Sequence, residues 1–280
     1  MPEPIPELDH VVINVAGRLD EAETRFRRLG FQLTARGHHS LGSSNHLAVF
    51  GENYLELLGY GSGAGEQRSA IWTSPPGLNG LVWKTQDADA VWQRLRQQDL
   101  AGEAPQRFFR PVILPDGHQQ EARFCTVRLK PESVPNGRSF FCQHLTPEAV
   151  WQTAWQHHPN GVINIRDFVI ASEAPAQAAS VYQRLFPSAT LHAENGSLRL
   201  RAGRSVVSFL TPDAVLNQYG SLPDGFDGSP RMAALGLTTS SLEQARERLI
   251  DGEIPFTEGD NALLVGAENA FNLALRFHAA

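Results

Sequence analysis

The chain of 280 residues lacks the features that mark disulfide-rich, membrane-spanning and nucleic-acid-binding proteins. It contains two cysteines, Cys125 and Cys142, in apolar stretches, which argues against a disulfide framework. It has no apolar run long enough to cross a bilayer, and the N-terminal stretch MPEPIPELDH lacks both parts of a secretion signal. The net charge is −6 and the lysines and arginines are scattered. We therefore expect a cytoplasmic protein that binds a small-molecule substrate and neither nucleic acid nor membrane.

What the sequence does contain is a pattern that recurs four times. A strand-like run, an amphipathic helix and further strand-like runs begin near Leu8, Leu81, Ile163 and Leu235. The four helical segments are LDEAETRFRRLGF, DADAVWQRLRQQDL, APAQAASVYQRLF and SSLEQARERLIDGEIPF. A period of roughly 70 residues is too long for a solenoid repeat, so each copy is predicted to be a module with its own sheet.

The first copy has the element order β-α-β-β-β. LDHVVINV alternates like a half-buried strand, a helix follows from Leu19 to Leu29, and Gly30 is placed to end it. FQLTARG, HLAVF and YLELLGY are three further strands. The length allows two domains, which we predict to span residues 1–158 and 159–280.

Three segments of the first half, LDHVVINV, YLELLG and GHHSLGSSNHL, resemble the vicinal oxygen chelate superfamily and most closely its glyoxalase-like branch. That superfamily includes glyoxalase I, extradiol dioxygenases and bleomycin-resistance proteins. The resemblance implies an α+β fold in which four βαβββ modules pair into two half-barrel domains. It also implies one divalent metal ion held by the first and last strands of a module. In this chain those strands offer His10 and Glu56.

The second module departs from the glyoxalase I pattern. Its opening strand, GLVWKT, has no ligand, and its closing strand, SFFCQH, offers Gln143 and His144 instead of an acid. His10, Glu56 and His144 would supply two imidazoles and one carboxylate, a set similar to that of extradiol dioxygenases. If Gln143 faces inward, His144 faces outward, and the amide becomes a weak ligand or a hydrogen-bond donor to substrate. Ligand type alone does not distinguish Fe, Mn, Zn and Ni.

The physical argument for a cation rests on Glu56. This carboxylate lies between Leu55 and Leu57 in an apolar strand, where burial without a partner is costly. The alternatives are that Glu56 pairs with an arginine or reaches solvent, and that His10 is hydrogen-bonded to backbone.

Further candidates come from the loop before the third strand and from aromatic residues. His46 and, second to it, His39 are candidate catalytic bases, and His46 is also a candidate fourth ligand; the alternative is that His46 is exposed at the end of a turn. Aromatic residues in strands are often plain core, yet several would line a pocket. The predicted pocket residues are Tyr54, Trp83, Phe124, Phe141 and Gln143.

The second half carries no comparable set of histidines and acids, so we expect it to support or cover the first. The resulting hypothesis is a metal-dependent lyase or isomerase, or a ring-cleaving dioxygenase, acting on a small oxygenated substrate that can be aromatic. The alternative is a metal-free binding or sequestering protein of the bleomycin-resistance type. Both a monomer and a homodimer are compatible with fused modules.

Overall fold

The computed structural model describes residues 3–60, 72 and 74–280, and these residues form two eight-stranded sheets. The strands of the first sheet are β1 (Leu8–Ala16), β2 (Gly37–His38), β3 (Ser44–Val49), β4 (Tyr54–Gly59), β5 (Gly77–Lys84), β6 (Gln106–Ile113), β7 (Gln119–Arg128) and β8 (Arg138–His144). The strands of the second sheet are β9 (Val162–Ala171), β10 (Leu191–Glu194), β11 (Ser197–Ala202), β12 (Ser205–Leu210), β13 (Arg231–Thr239), β14 (Thr257–Gly259), β15 (Ala262–Val265) and β16 (Ala274–Ala279). The α-helices are α1 (Leu19–Arg28), α2 (Ala88–Gln97), α3 (Pro175–Leu185), α4 (Pro212–Tyr219) and α5 (Leu242–Asp251).

The two sheets have the same topology. The strand orders are β2-β3-β4-β1-β5-β8-β7-β6 and β10-β11-β12-β9-β13-β16-β15-β14. In each sheet two modules meet where their opening strands pair antiparallel, and each opening strand lies parallel to the last strand of its own module. The predicted α+β fold, with four βαβββ modules paired into two half-barrels, is confirmed. The domain boundary between residues 158 and 159 stays a prediction.

The first sheet, which we call the N-terminal half-barrel, curves until its two edge strands nearly meet. Ser40, just after β2, donates its backbone N–H to the carbonyl of Phe109 on β6 at 2.9 Å. The N–H of Phe109 in turn donates to Ser40 Oγ at 3.3 Å. This closure brings β6 side chains across the concave face toward those of β3 and β4.

The convex faces of both sheets and the helices share one apolar core. The helix α1 contributes Ala22 and Phe26 from its buried face, with acidic residues in its first turn and arginines in its last, as the helix dipole favours. Trp83 of the first sheet packs against Phe186, which follows α3, with ring centroids 4.8 Å apart. The two half-barrels are therefore joined by continuous packing.

The second sheet, or C-terminal half-barrel, has its concave face filled by protein. Val215 and Tyr219 of α4 are buried there against Val169, Ala234 and neighbouring apolar side chains. Across residues 3–60, 72 and 74–280, none of the helices combines the length and apolar character needed to traverse a bilayer.

Candidate active site

The concave face of the N-terminal half-barrel encloses a cavity with about 50 Å³ open to water-sized groups. Its lining mixes buried polar groups with aromatic and aliphatic side chains. Lining residues include His10, His39, Asn45, Tyr54, Glu56, Phe108, Arg110, Phe124, Thr126, Phe140 and Cys142. Polar groups converging in an apolar enclosure are the usual composition of a small-molecule site.

One corner of the cavity is built by a β-bulge at Asp9. Leu8 pairs with Trp83 and His10 with the preceding residue, so Asp9 is an extra residue on β1. A bulge re-aims a side chain, and here it turns Asp9 to the same side as His10. Asp9 Oδ2 accepts hydrogen bonds from His10 Nδ1 at 2.6 Å and from His144 Nε2 at 3.0 Å. Burial opposes ionisation, but the two imidazoles hold the pKa of Asp9 well below its usual range.

Opposite the bulge, the Glu56 carboxylate lies between two imidazoles. Its Oε2 is 3.7 Å from His10 Nε2, and its Oε1 is 3.8 Å from His39 Nε2. Asn45 Nδ2 donates to Oε1 at 2.7 Å. Burial opposes ionisation, yet the positive potential of His39 and His10 lowers the pKa of Glu56. The acid predicted to be buried is therefore buried, and it has no arginine partner within ion-pair distance among the described residues.

Either spacing fits a divalent ion held between one imidazole and one carboxylate oxygen, and the two spacings involve different oxygens of Glu56. They exceed hydrogen-bond length, whereas two donor atoms that each lie about 2.1 Å from one ion are separated by roughly 3 to 4 Å. His10 Nδ1 donates its hydrogen to Asp9, so Nε2 is the ring atom that faces Glu56. A metal-binding histidine typically donates its other ring N–H to a carboxylate in this way.

Comparison with known proteins agrees with this architecture. The sequence profile of the glyoxalase-like domain family matches residues 8–186. The chain belongs to the glyoxalase-like domain family. With its fold, this membership places it in the vicinal oxygen chelate superfamily. A search of the curated proteins gave no significant match.

Three solved structures resemble the whole glyoxalase-like chain. A hypothetical protein from Staphylococcus aureus superposes with TM-score 0.70 at 13% identity, covering 99% of this chain and 100% of the other. A mutant of 4-hydroxymandelate synthase from Streptomyces coelicolor gives TM-score 0.59 at 14% identity, covering 99% and 93%. A xylose isomerase-like TIM barrel/4-hydroxyphenylpyruvate dioxygenase fusion protein gives TM-score 0.62 at 11% identity, covering 100% of this chain and 50% of the fusion. At these identities the likeness shows the fold.

The open choice between Gln143 and His144 is decided by the register of β8. His144 shares a face with Phe140 and Cys142, which line the cavity. Gln143 points the other way, where its Oε1 accepts from the N–H of Ala88 at 3.1 Å. His144 uses Nε2 to bind Asp9, and its Nδ1 is buried without a hydrogen-bond partner.

A group of three metal-compatible side chains lies beside His10 and Glu56. Ligand atoms of Asp9, Cys142 and His144 all lie within 4.8 Å of one another. Burial and the nearby carboxylates of Asp9 and Glu56 raise the pKa of the Cys142 thiol well above its usual range.

Four sequence-based expectations need correction, because these side chains face the convex core and not the cavity. On β3, Leu47 pairs with Glu56 and His46 pairs with Leu57 of the shared core, so Asn45 and Leu47 face the cavity. His46 lies on the opposite face, with Nδ1 2.9 Å from the Thr34 carbonyl. Three predicted pocket residues also point away from the cavity: Trp83, Phe141 and Gln143. The Nε1 of Trp83 donates to Ser139 Oγ at 2.9 Å. Of the predicted pocket, Tyr54 and Phe124 line the cavity.

Two residues that the sequence analysis did not single out belong to the site. Asp9 was not predicted as a site residue because strict alternation along a strand assigns it to the face opposite His10. Arg110 was not predicted because RFFRPVIL has no clear polar–apolar alternation from which its inward-facing side chains could be identified. Arg110 is 1% exposed and lines the cavity, and its Nε and Nη2 have no hydrogen-bond partner. Burial lowers the pKa of its guanidinium from the usual value.

The C-terminal half-barrel repeats the bulge but not the ligands. Asp167 pairs with Gly236, and Ile165 with Leu237, so Arg166 occupies the bulge position of Asp9. Asp167 thus stands where His10 does in the first half. By register, Ser208 stands where Glu56 does.

Among the described residues of that face, Asp167 and His278 form an acid–imidazole contact. Asp167 Oδ2 and His278 Nε2 are 3.9 Å apart. Burial raises the pKa of Asp167 and lowers that of His278 to about 4, so each shift favours the neutral form. Among the described residues, the convergence of two imidazoles on a buried carboxylate belongs to the N-terminal half-barrel.

Proposed function

We propose that the protein is a divalent-metal-dependent enzyme of the vicinal oxygen chelate type, with an oxygenase-like reaction on a small oxygenated substrate. The ligands would be His10, Glu56 and a third donor, for which we choose His39 over His144. The observation that carries the proposal is the Glu56 carboxylate flanked by two Nε2 atoms at 3.7 and 3.8 Å. Two imidazoles and one carboxylate with open positions are the donor set of non-haem iron oxygenases.

The choice of His39 follows from what each imidazole already binds. His144 Nε2 is hydrogen-bonded to Asp9, whereas His39 Nε2 lies 3.8 Å from Glu56 Oε1 and 3.2 Å from Asn45 Nδ2. His39 Nδ1 is 2.8 Å from Ser43 Oγ, which fixes the ring. Asn45, which reaches both Glu56 and His39, would keep the two donors in place.

The chain's own residues prepare the site for chemistry. A bound ion supplies Lewis acidity and, if it is iron, reaction with dioxygen. Asp9 orients the His10 ring, which stacks on Tyr54 with centroids 4.3 Å apart. Burial and the charge of Asp9 raise the pKa of Tyr54, so its phenol stays protonated as a hydrogen-bond donor. Phe108 and Phe124, 5.3 Å apart, exclude water from the opposite wall.

An oxygenase reaction is preferred to lyase or isomerase chemistry because of the donor set and because two structures of the same fold carry the names 4-hydroxymandelate synthase and 4-hydroxyphenylpyruvate dioxygenase. The substrate would be small, since the enclosed volume is far below the roughly 300–1,000 Å³ of a drug-sized pocket. We propose that the substrate is a small molecule, and all tests are to be done with soluble, purified protein.

The test is elemental analysis after anaerobic purification. Wild type should contain close to one divalent ion per chain, and Glu56→Gln and His10→Asn should lose it. His118→Asn is the matched control, because that side chain is 82% exposed and lies outside the cavity. Oxygen uptake should depend on the same ion.

Two results would contradict the proposal. Metal retained by Glu56→Gln but lost in Cys142→Ser would move the ion to the Asp9–Cys142–His144 group. Metal-free wild type that binds aromatic compounds tightly, with no binding of added Fe²⁺, Mn²⁺, Zn²⁺ or Ni²⁺, would favour the sequestering alternative.

A further inference from the structure

The most unusual group in the cavity that the proposed metal site does not use is the guanidinium of Arg110. This side chain is 1% exposed, and its Nε and Nη2 atoms are buried without a hydrogen-bond acceptor. Leaving charged donors unpaired in the interior is costly, and arginine is rarely buried without a partner. A ligand that supplies acceptors would remove that cost.

The surroundings of Arg110 hold it in place without neutralising it. A Cβ on Gly37 would lie 3.0 Å from Arg110 Cδ and 3.1 Å from its Nη1, so the absence of a side chain at Gly37 makes room for the guanidinium. The same Cβ would lie 2.5 Å from Asn45 Oδ1, which is also buried without a partner. Within the described parts of the chain, no carboxylate oxygen comes within ion-pair distance of the guanidinium.

The charges of the cavity leave Arg110 for a ligand. The two acids of this region already have imidazole partners: Asp9 accepts hydrogen bonds from His10 and His144, and Glu56 lies within ion-pair distance of His10 and His39. Arg128 and Arg138 also line the cavity, and Arg138 lies over the Phe140 ring at 5.8 Å. Among the described residues, the guanidinium of Arg110 therefore has no carboxylate within ion-pair distance, and its charge is available to an anionic ligand.

We propose that Arg110 binds the carboxylate of the substrate, which makes the substrate a small organic acid with an apolar or aromatic body. A guanidinium presents parallel N–H donors that match the two oxygens of a carboxylate. Phe108 and Phe124 on the neighbouring wall suit the apolar part. The inference rests on the proposed function for the reaction that follows, but binding through Arg110 does not require the metal.

The experiment is calorimetric titration with two acid–amide pairs of nearly equal shape, acetate with acetamide and benzoate with benzamide. It uses wild type, Arg110→Gln and the control Arg107→Gln, whose arginine is on the same strand but 65% exposed. Each protein is titrated after removal of metal with EDTA and again after loading with Fe²⁺ under anaerobic conditions. At least one acid should bind EDTA-treated wild type about tenfold or more tighter than its amide. Arg110→Gln should abolish that preference, and Arg107→Gln should keep it.

Several outcomes would overturn the inference. Equal affinity for acid and amide in wild type, no binding of either acid at millimolar concentration, or a preference that survives in Arg110→Gln would each do so. If Arg110→Gln does not fold, Arg110→Lys replaces it, and a preference undiminished by the loss of the paired donors counts against the inference. Acid preference in a protein that binds no metal would support Arg110 while refuting the proposed metal site, so the two failures are distinguishable.

Discussion

Replacing Asp9 by asparagine tests the role of the bulge in the site. In the native protein one carboxylate oxygen accepts hydrogen bonds from both His10 and His144, at 2.6 and 3.0 Å. An amide keeps the shape but loses the charge, which turns two charge-assisted hydrogen bonds into weaker neutral ones. With a loss of about 1 kcal/mol for each bond, and some relief from burying a neutral group, the free energy of unfolding should fall by roughly 1–3 kcal/mol.

The metal should respond more specifically than the stability. Substitution of a carboxylate that orients a ligating histidine typically weakens metal affinity about 10- to 100-fold. Urea unfolding of the EDTA-treated protein gives the first quantity, and competition with a chelator of known affinity gives the second. Asp89→Asn serves as control, since that carboxylate is 67% exposed. Unchanged metal affinity in Asp9→Asn would refute the assignment of Asp9 as the residue that orients His10.

Three further substitutions test other parts of the structure. Gly37→Ala would place a Cβ 2.5 Å from Asn45 Oδ1 and 3.0 Å from Arg110 Cδ. We expect the free energy of unfolding in urea to fall by about 1–3 kcal/mol and the preference for acid over amide in calorimetry to weaken. Wild-type values in both measurements would show that Asn45 and Arg110 can move to accept the methyl group. Asn53→Ala removes an acceptor 3.1 Å from the buried N–H of Ile165 in the other half-barrel and should cost about 1–3 kcal/mol, measured by urea unfolding. Burial raises the pKa of Asp167, so ionisation of this one carboxyl destabilises the native protein as the pH rises from the usual value of 3.8 through the raised pKa. Asp167→Asn should therefore melt at a higher temperature than wild type at pH 7, with the gain vanishing near pH 3.5; a lower melting temperature at pH 7 would contradict this.

The architecture could be predicted because the same local pattern of helix and strands recurs along the sequence. Each module carries an amphipathic helix between strand-like runs, and the recurrence of that order predicts paired modules. His10 and Glu56 could be predicted as well, because the resemblance implies metal ligands on the first and last strands of a module. Their convergence on one cavity follows from the parallel pairing of Val12 with Glu56.

The rest of the site depends on features that local pattern does not encode. A one-residue shift in the pairing register moves every side chain of a strand to the other face, and the local sequence does not fix that register. The observed pairing of Leu47 with Glu56 places Asn45, and not His46, on the cavity side. SFFCQH is apolar on both faces, so its sequence does not reveal that His144 points inward. Arg110 enters the site only because the β2 and β6 edges close, a long-range contact between residues 40 and 109.

The anomalous difference map of crystals loaded with Fe²⁺ under anaerobic conditions tests the central claim most directly. We predict one strong peak in the N-terminal half-barrel, about 2.1 Å from His10 Nε2 and from a Glu56 oxygen, with His39 Nε2 as the third protein donor. A peak bound instead by Asp9, Cys142 and His144, or no peak inside the half-barrel at full metal loading, would contradict it.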